Sequence, residues 1–260
     1  MKKHILVALV IAAATGLALA QTPMQKSVPA SANATVSIEN VAGKVTVSGW
    51  DRNEVEVKAM LGKEVEDLKV TGTGDSISIE VELPEGSHSH HDDMDVDMTI
   101  RVPRGARLEV ETVSASVDCS DLIGDLDLES VSGEVTLKGT PRSVELATVS
   151  GNAVVETTGE LKSGKFESVS GSIDVRADLN PNGRFEFETV SGSLKLHLPR
   201  SVAAEFKIST FSGNIKNDIG PEAASTSKHL PSKELNFSTG SGGARVSMES
   251  LSGSIELLSD

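Results

Sequence analysis

Residues 126–137 read LDLESVSGEVTL, and this stretch decides the fold. Leu126 and Leu128 alternate with polar neighbours, Val131-Ser132-Gly133 makes a corner, and Val135 and Leu137 resume the alternation. Period-two patterning on both sides of a turn describes two short β-strands with one buried face each. The same unit recurs as VSG at 131–133, 149–151, 169–171 and 190–192, FSG at 211–213 and LSG at 251–253, with VAG at 41–43 and VSA at 113–115 as weaker forms. The third residue of the triplet falls at 115, 133, 151, 171, 192 and 213, so the steps are 18, 18, 20, 21 and 21 residues.

Five positions around that residue are apolar in nearly every copy: seven, five and two before it, and two and four after it. Seven before it stand Val36, Leu108, Leu126, Val144, Phe185, Phe206 and Val246, with Gly164 as the exception. One such pair cannot bury its apolar face alone, so neighbouring copies must stack. The corner glycine admits positive φ and lets backbones approach where a Cβ would clash. Ala115 replaces it once, which predicts ordinary dihedrals or strain at that corner. The expected fold is therefore all-β: a β-solenoid-like stack of 18–21-residue two-strand repeats with Φ-S-G corners, Φ being an apolar residue. A β-sandwich is the alternative.

The run VPRGARLEVETVSASV, the ETVSG and ESVSG units and the closing KELNFSTGSGGARVSMESLSGSIEL resemble a family of uncharacterised bacterial exported β-strand-repeat proteins often labelled adhesins. The resemblance spans residues 33–258 and implies an envelope location and a repeat β fold. That family carries no established catalytic residues, so it transfers none.

The chain opens MKKHILVALVIAAATGLALA: a basic start at Lys2 and Lys3, an apolar run, and a small-x-small cleavage signal at Ala18-Leu19-Ala20. This pattern predicts a signal peptide over 1–20 and a chain exported to the periplasm or cell surface. No later run reaches the length of a membrane helix. Residues 21–32 are expected as a disordered linker and 33–258 as a single β-repeat domain. Within it lie N-terminal strands at 33–107, regular repeats at 108–217, an inserted loop at 218–233 and closing repeats at 234–258. The segment at 63–69, KEVEDLK, is the one place where a helical turn competes with loop. GSGG at 240–243 is expected to replace a VSG corner.

The whole chain carries a formal charge of −14, and without Lys2 and Lys3 the remainder has 22 basic against 38 acidic side chains, a net −16. Such a balance argues against nucleic acid and anionic lipid and favours a cationic or cation-bridged envelope or surface partner. Cys119, the single cysteine, occupies an inward strand position and is expected as a small buried hydrophobe. No tyrosine and one tryptophan, Trp50, leave little aromatic surface for stacking on sugars.

Two groups of residues are candidate sites. His88, His90 and His91 are followed at once by Asp92 and Asp93, a composition that suits a divalent transition metal. Against this, Met94, Val96, Met98, Ile100 and Val102 alternate with polar residues as a strand, leaving the histidines on the connecting loop, where closing on a metal costs ordering entropy. Weak divalent-metal binding is the most the tract predicts, and no cofactor is expected. The second group is a column four residues before the repeat glycine: Glu111, Glu129, Glu167 and Glu188, with Glu39 and Glu249 in the outer copies. Stacked in register, neighbours lie ~5 Å apart, and the column is either a screened solvated face or an acidic interaction stripe.

The repeat serines have no histidine nearby, and no phosphate-cradling loop or H-E-x-x-H motif occurs. The sequence thus predicts a non-enzymatic, adhesin-like structural or interaction protein of the envelope. An exported metal-binding protein using the loop at 88–97, and a polysaccharide-active β-solenoid enzyme, are the alternatives.

Overall fold

The computed structural model describes residues 22–83, 94–225 and 231–260. The expected leader at 1–20 and the tract holding His88, His90, His91, Asp92 and Asp93 lie outside them. Among the described residues there are nineteen strands, all within one continuous hydrogen-bonded sheet, and no helix. Each VSG unit folds this sheet back on itself, which makes two walls with their apolar faces opposed.

The first wall is made of strands that lead into a corner. These are β1 (Thr22–Asn40), β6 (Arg107–Thr112), β8 (Asp125–Ser130), β10 (Ser143–Thr148), the second halves of β11 (Ala153–Ser168) and β12 (Ile173–Thr189), β18 (Ala244–Ser250) and β14 (Ala204–Thr210). They pair in parallel and in register, with Leu108 beside Leu126, Leu126 beside Val144 and Leu128 beside Leu146. The second wall holds the strands that leave the corner: β2 (Gly43–Trp50), β7 (Ser116–Ser120), β9 (Val135–Gly139), the first halves of β11 and β12, β13 (Leu194–Leu198), β19 (Ser254–Ser259) and β15 (Asn214–Asn217). At one end β3 (Glu54–Leu61) runs antiparallel to both β1 and β5 (Val96–Pro103), so it bridges the two walls and closes the stack.

Inward side chains fill the space between the walls. Phe166, Phe185, Phe187 and Phe206 are fully buried, and the Phe166 and Phe187 rings stack at 4.7 Å. Gly164 breaks the apolar column for a visible reason: a Cβ there would lie 2.5 Å from the Phe166 ring. Cys119 is buried as expected, and burial pushes its thiol up to about 12.

The corners explain the triplet. The valine and serine N–H groups of each corner donate to carbonyls of the preceding coil: Val131 to Thr112, Ser132 to Val113, Val149 to Ser130, Ser150 to Val131. The serine hydroxyl donates to the same carbonyl as its own N–H, as Ser132 Oγ does to Val113 O at 3.1 Å and Ser191 Oγ to Val169 O at 3.2 Å. Just before the corner a buried Thr or Ser satisfies the glycine. Ser168 Oγ donates to Gly171 O at 2.8 Å, and Thr189 Oγ1 accepts from Gly192 N at 2.9 Å.

Of the two reasons expected for the corner glycine, only close approach applies to the repeated VSG units. Added Cβ atoms at Gly133, Gly151 and Gly171 would sit 1.9, 2.0 and 1.9 Å from the carbonyl oxygen of the corner below, while none of these residues has a positive φ. Ala115 has ordinary dihedrals, and its neighbour in the stack is Gly43, the one corner glycine with a left-handed backbone, at +98°.

Three expectations are corrected, and the open alternative at 63–69 is decided. Of the expected disordered linker at 21–32, residues 22–32 are strand, with Thr22–Pro29 paired against β3. Met24 and Val28 pack on the core, and Pro23 and Pro29 are tolerated because this is a peripheral strand. Residues 63–69 form a turn and then the start of β4 (Asp67–Glu82), with no helix. GSGG at 240–243 is not a corner. Its glycines Gly240, Gly242 and Gly243 take positive φ in a reversal that passes the start of β14, between β17 (Lys233–Ser238) and β18.

Nor do the last residues close the stack. β18 pairs with β12 on one side and β14 on the other, so the 251–253 coil is inserted between the 190–192 and 211–213 coils. The end of the first wall is instead covered by β17, antiparallel to β14, and the short β16 (Ala224–Ser225) adds to it from within the expected loop.

Candidate functional site

Because side chains alternate, the outer face of the first wall is set by the residues between the buried ones. Glu129 follows Leu128 and precedes buried Ser130, so it points outward, and so does Val131 after it. Every coil repeats this arrangement in register. Glu111 is partnered with Glu129 and Glu167 with Glu188, while Ala147 stands between Glu129 and Glu167. The column extends at one end through Glu39 to Glu80, and at the other from Glu188 through Glu249 and Ser209 to Glu234. Backbone spacing between the partners is ~4.8 Å.

Ion pairing offsets only part of this charge. Lys165 Nζ lies 2.8 Å from Glu167 and 3.7 Å from Glu145. Glu129 has no ion-pair partner among the described residues, and its carboxyl is held above the usual range, first by burial and then by Asp127, Glu111 and Glu145. Asp127, one column further back, is raised by burial and by Glu145. Arginines near the 103–107 turn balance carboxylates elsewhere: Arg104 reaches Asp51 at 3.1 Å, and Arg107 reaches Glu109 at 2.9 Å.

The second column on this face was not recognised as exposed from the sequence. Val113, Val131, Val149, Val169, Val190, Leu251 and Phe211 belong to the apolar positions of the repeat, yet they are 45–55 % exposed. The signal was present in the parity. Seven and five residues before the glycine are odd offsets and two is even, so an unbroken alternation puts the corner valine on the glutamate side. Glutamates and apolar residues thus form two parallel ladders, two residues apart on every strand, along a groove of about 1090 Å³ that runs across the coils.

This face offers carboxylates and apolar contacts. The corner serines are engaged, each hydroxyl donating to a carbonyl of the neighbouring coil, so none is poised as a nucleophile. Among the described residues no group of three or more His, Cys, Asp or Glu side chains is arranged to hold a metal ion, and no helix is long and apolar enough to cross a membrane.

A family model described as Toastrack DUF4097 matches residues 26–258. None of the curated proteins matches the chain. Several solved structures are similar at low identity. A "putative adhesin" from Bacteroides fragilis NCTC 9343 shares 12% identity at a TM-score of 0.49, covering 94% of this chain and all of its own. A "putative cell adhesion protein" from Clostridium sporogenes ATCC 15579 shares 11% at 0.41, covering 92% and 100%. A "putative adhesin" from Parabacteroides distasonis ATCC 8503 shares 16% at 0.41, covering 92% and 98%.

Proposed function

The chain belongs to the Toastrack DUF4097 family, and from that premise we propose that it is an exported, non-enzymatic interaction protein of the cell envelope whose working surface is the outer face of the first wall. In this reading each 18–21-residue strand–corner–strand unit is one coil, and the Φ-S-G corner is what displays the face: serine and glycine hold the coil below, and the apolar residue is left outside. The observation that carries the proposal is the ladder of seven half-exposed apolar side chains beside the glutamate ladder. A monomeric soluble protein rarely leaves a contiguous apolar patch of this kind without a partner for it.

The acidic column gives the face its sign. With glutamates ~4.8 Å apart and few lysines between them, a partner that brings positive charge relieves like-charge repulsion that the free protein bears. The basic, apolar leader supports export, and the envelope is where such a partner would be met.

The test is photo-crosslinking in intact cells that make the protein. A benzophenone amino acid is placed at Val149 on the proposed face, or at Thr136 on the outer side of the second wall. Adducts from position 149 and not from 136, in the envelope fraction, are the expected result. Equal labelling from both positions, or recovery of the chain in the cytosol with its leader intact, refutes the reading.

A further inference from the structure

Which occupant the face takes follows from its hydrogen bonding, its length and its charge, given that it is an interaction face at all. The backbone groups of this wall are engaged on both sides by parallel ladders, β8 between β6 and β10, β10 between β8 and β11, and so on to β14. A peptide lying along the groove therefore crosses the strands and finds no backbone partner in the wall, so the N–H and C=O groups that it turns toward the wall, away from water, must be paired within the peptide itself. Among peptide conformations this selects the α-helix. Seven apolar rungs at ~4.8 Å run ~29 Å, the length of a helix of about 19 residues at 1.5 Å per residue.

We infer that the groove receives a cationic amphipathic helix, its apolar stripe on the corner residues from Val113 to Phe211 and its Lys or Arg stripe on the glutamate ladder. The two ladders stand two residues apart on each strand, ~7 Å, within the 10–12 Å width of one helix. One helix thus covers both, reading as the helix-in-groove mode with anchors at i, i+3, i+4 and i+7. A second copy of this chain, at a net −16 once the leader is removed, brings a second glutamate column against the first, so like charges oppose it. Anionic lipid headgroups meet the same opposition. Lys165 pairs with Glu167 and Glu145, whereas Glu129 has no ion-pair partner among the described residues and is raised by burial and by Asp127, Glu111 and Glu145.

The experiment is calorimetric titration of the folded protein with two 18-residue peptides of identical leucine and lysine content. One carries leucines at i, i+3, i+4 and i+7; the other scatters them around the helix. The striped peptide is expected to bind one to one, become helical by circular dichroism, and bind at least tenfold tighter than the scattered one. The double substitution Val149→Asp with Val169→Asp lowers its affinity at least tenfold. Glu129→Gln with Glu188→Gln, both exposed and tolerant positions, lowers it severalfold and weakens its salt dependence, which keeps the inference testable if the aspartate pair unfolds.

Equal binding of the two peptides means bulk charge attraction and overturns the inference. So does a protein dimer that the Val149→Asp and Val169→Asp pair turns into monomer, or binding to phosphatidylglycerol vesicles that this pair abolishes. Crosslinks from position 149 in cells without any preference for the striped peptide leave the interaction face standing and remove only the helix.

Discussion

Replacing Gly171 by alanine places a methyl group 1.9 Å from the carbonyl oxygen of Gly151 and 2.8 Å from its carbonyl carbon. Ordinary contact begins near 3.4 Å, so the coil must move by more than 1 Å, and the atoms in its way are backbone. The bonds that resist this are Val169 N to Thr148 O at 3.1 Å and Ser170 N to Val149 O at 2.8 Å. Losing both costs about 2 kcal/mol at roughly 1 kcal/mol each, and the overpacking adds about 1–3 kcal/mol. A total near 4 kcal/mol is a large part of the 5–15 kcal/mol that holds a typical domain. With a urea m-value of about 2–3 kcal/mol/M for a chain of this size, the midpoint should fall by about 1.5 M.

Gly159→Ala is the matched control, because its Cβ meets only the Thr140 methyl at 3.3 Å and its φ is not positive. It should be neutral, or stabilising by about 0.5 kcal/mol through the unfolded chain. The assay is urea unfolding followed by far-ultraviolet circular dichroism. If Gly171→Ala and Gly159→Ala unfold at the same urea concentration, carbonyl contact between coils is not what requires glycine in the corner.

Two carboxylates should show opposite pH signatures in thermal melts. Asp125 accepts two bonds from Arg142, at 3.0 and 2.8 Å, and its carboxyl is lowered first by that contact. Its contribution is therefore fully present above the unfolded value of 3.8 and lost as pH falls through the lower folded one, so Asp125→Asn lowers the melting temperature at pH 7 by an amount that shrinks as pH falls below 3.8. The pair is largely exposed, so solvent screening keeps the effect small. Glu129 is raised, so its ionisation opposes folding above the ordinary value of 4.5, and Glu129→Gln raises the melting temperature at pH 7 while leaving it unchanged at pH 3. A thiol reagent at pH 8 should leave Cys119 unmodified in the folded protein and label it fully in urea; labelling of the folded chain would contradict its burial. For the tract at 88–93, nickel or zinc titration should give weak binding that His88→Ala, His90→Ala and His91→Ala together abolish, and retention of metal by that triple variant would place the ligands elsewhere.

Alternation and repetition made most of the stack readable before any coordinates. Leu126, Leu128, Val135 and Leu137 point inward because a strand has period two, and the recurrence of the unit demands a neighbour to bury them. The glutamate column was legible for the same reason. The apolar column was obscured by its chemistry, since valine, phenylalanine and leucine suggest burial and only the even offset says otherwise. Residues 22–32 read as linker because polar and proline residues dominate them; what makes them a strand is the edge that β3 supplies from elsewhere in the chain. The inserted coil was beyond sequence reasoning. The FSG and LSG units present the same faces to a neighbour, and nothing in their spacing says which of them sits against β12.

That insertion bears on how the molecule is made. A ribosome delivers residues 204–217 before residues 244–259, yet in the finished stack the later segment separates the earlier one from β12 and β13. Coils up to Leu198 can be added in the order they emerge, each onto the last. The next coil cannot take its final place until residues 244–259 have arrived, and meanwhile it meets an open edge whose inward pattern, Phe185 and Phe187, matches its own Phe206 and Ile208. The chain therefore carries a built-in competitor to its native order, a stack one coil shorter, which residues 244–259 must displace or forestall. Assembly of this protein is sequential for most of its length and becomes a matter of timing at the end.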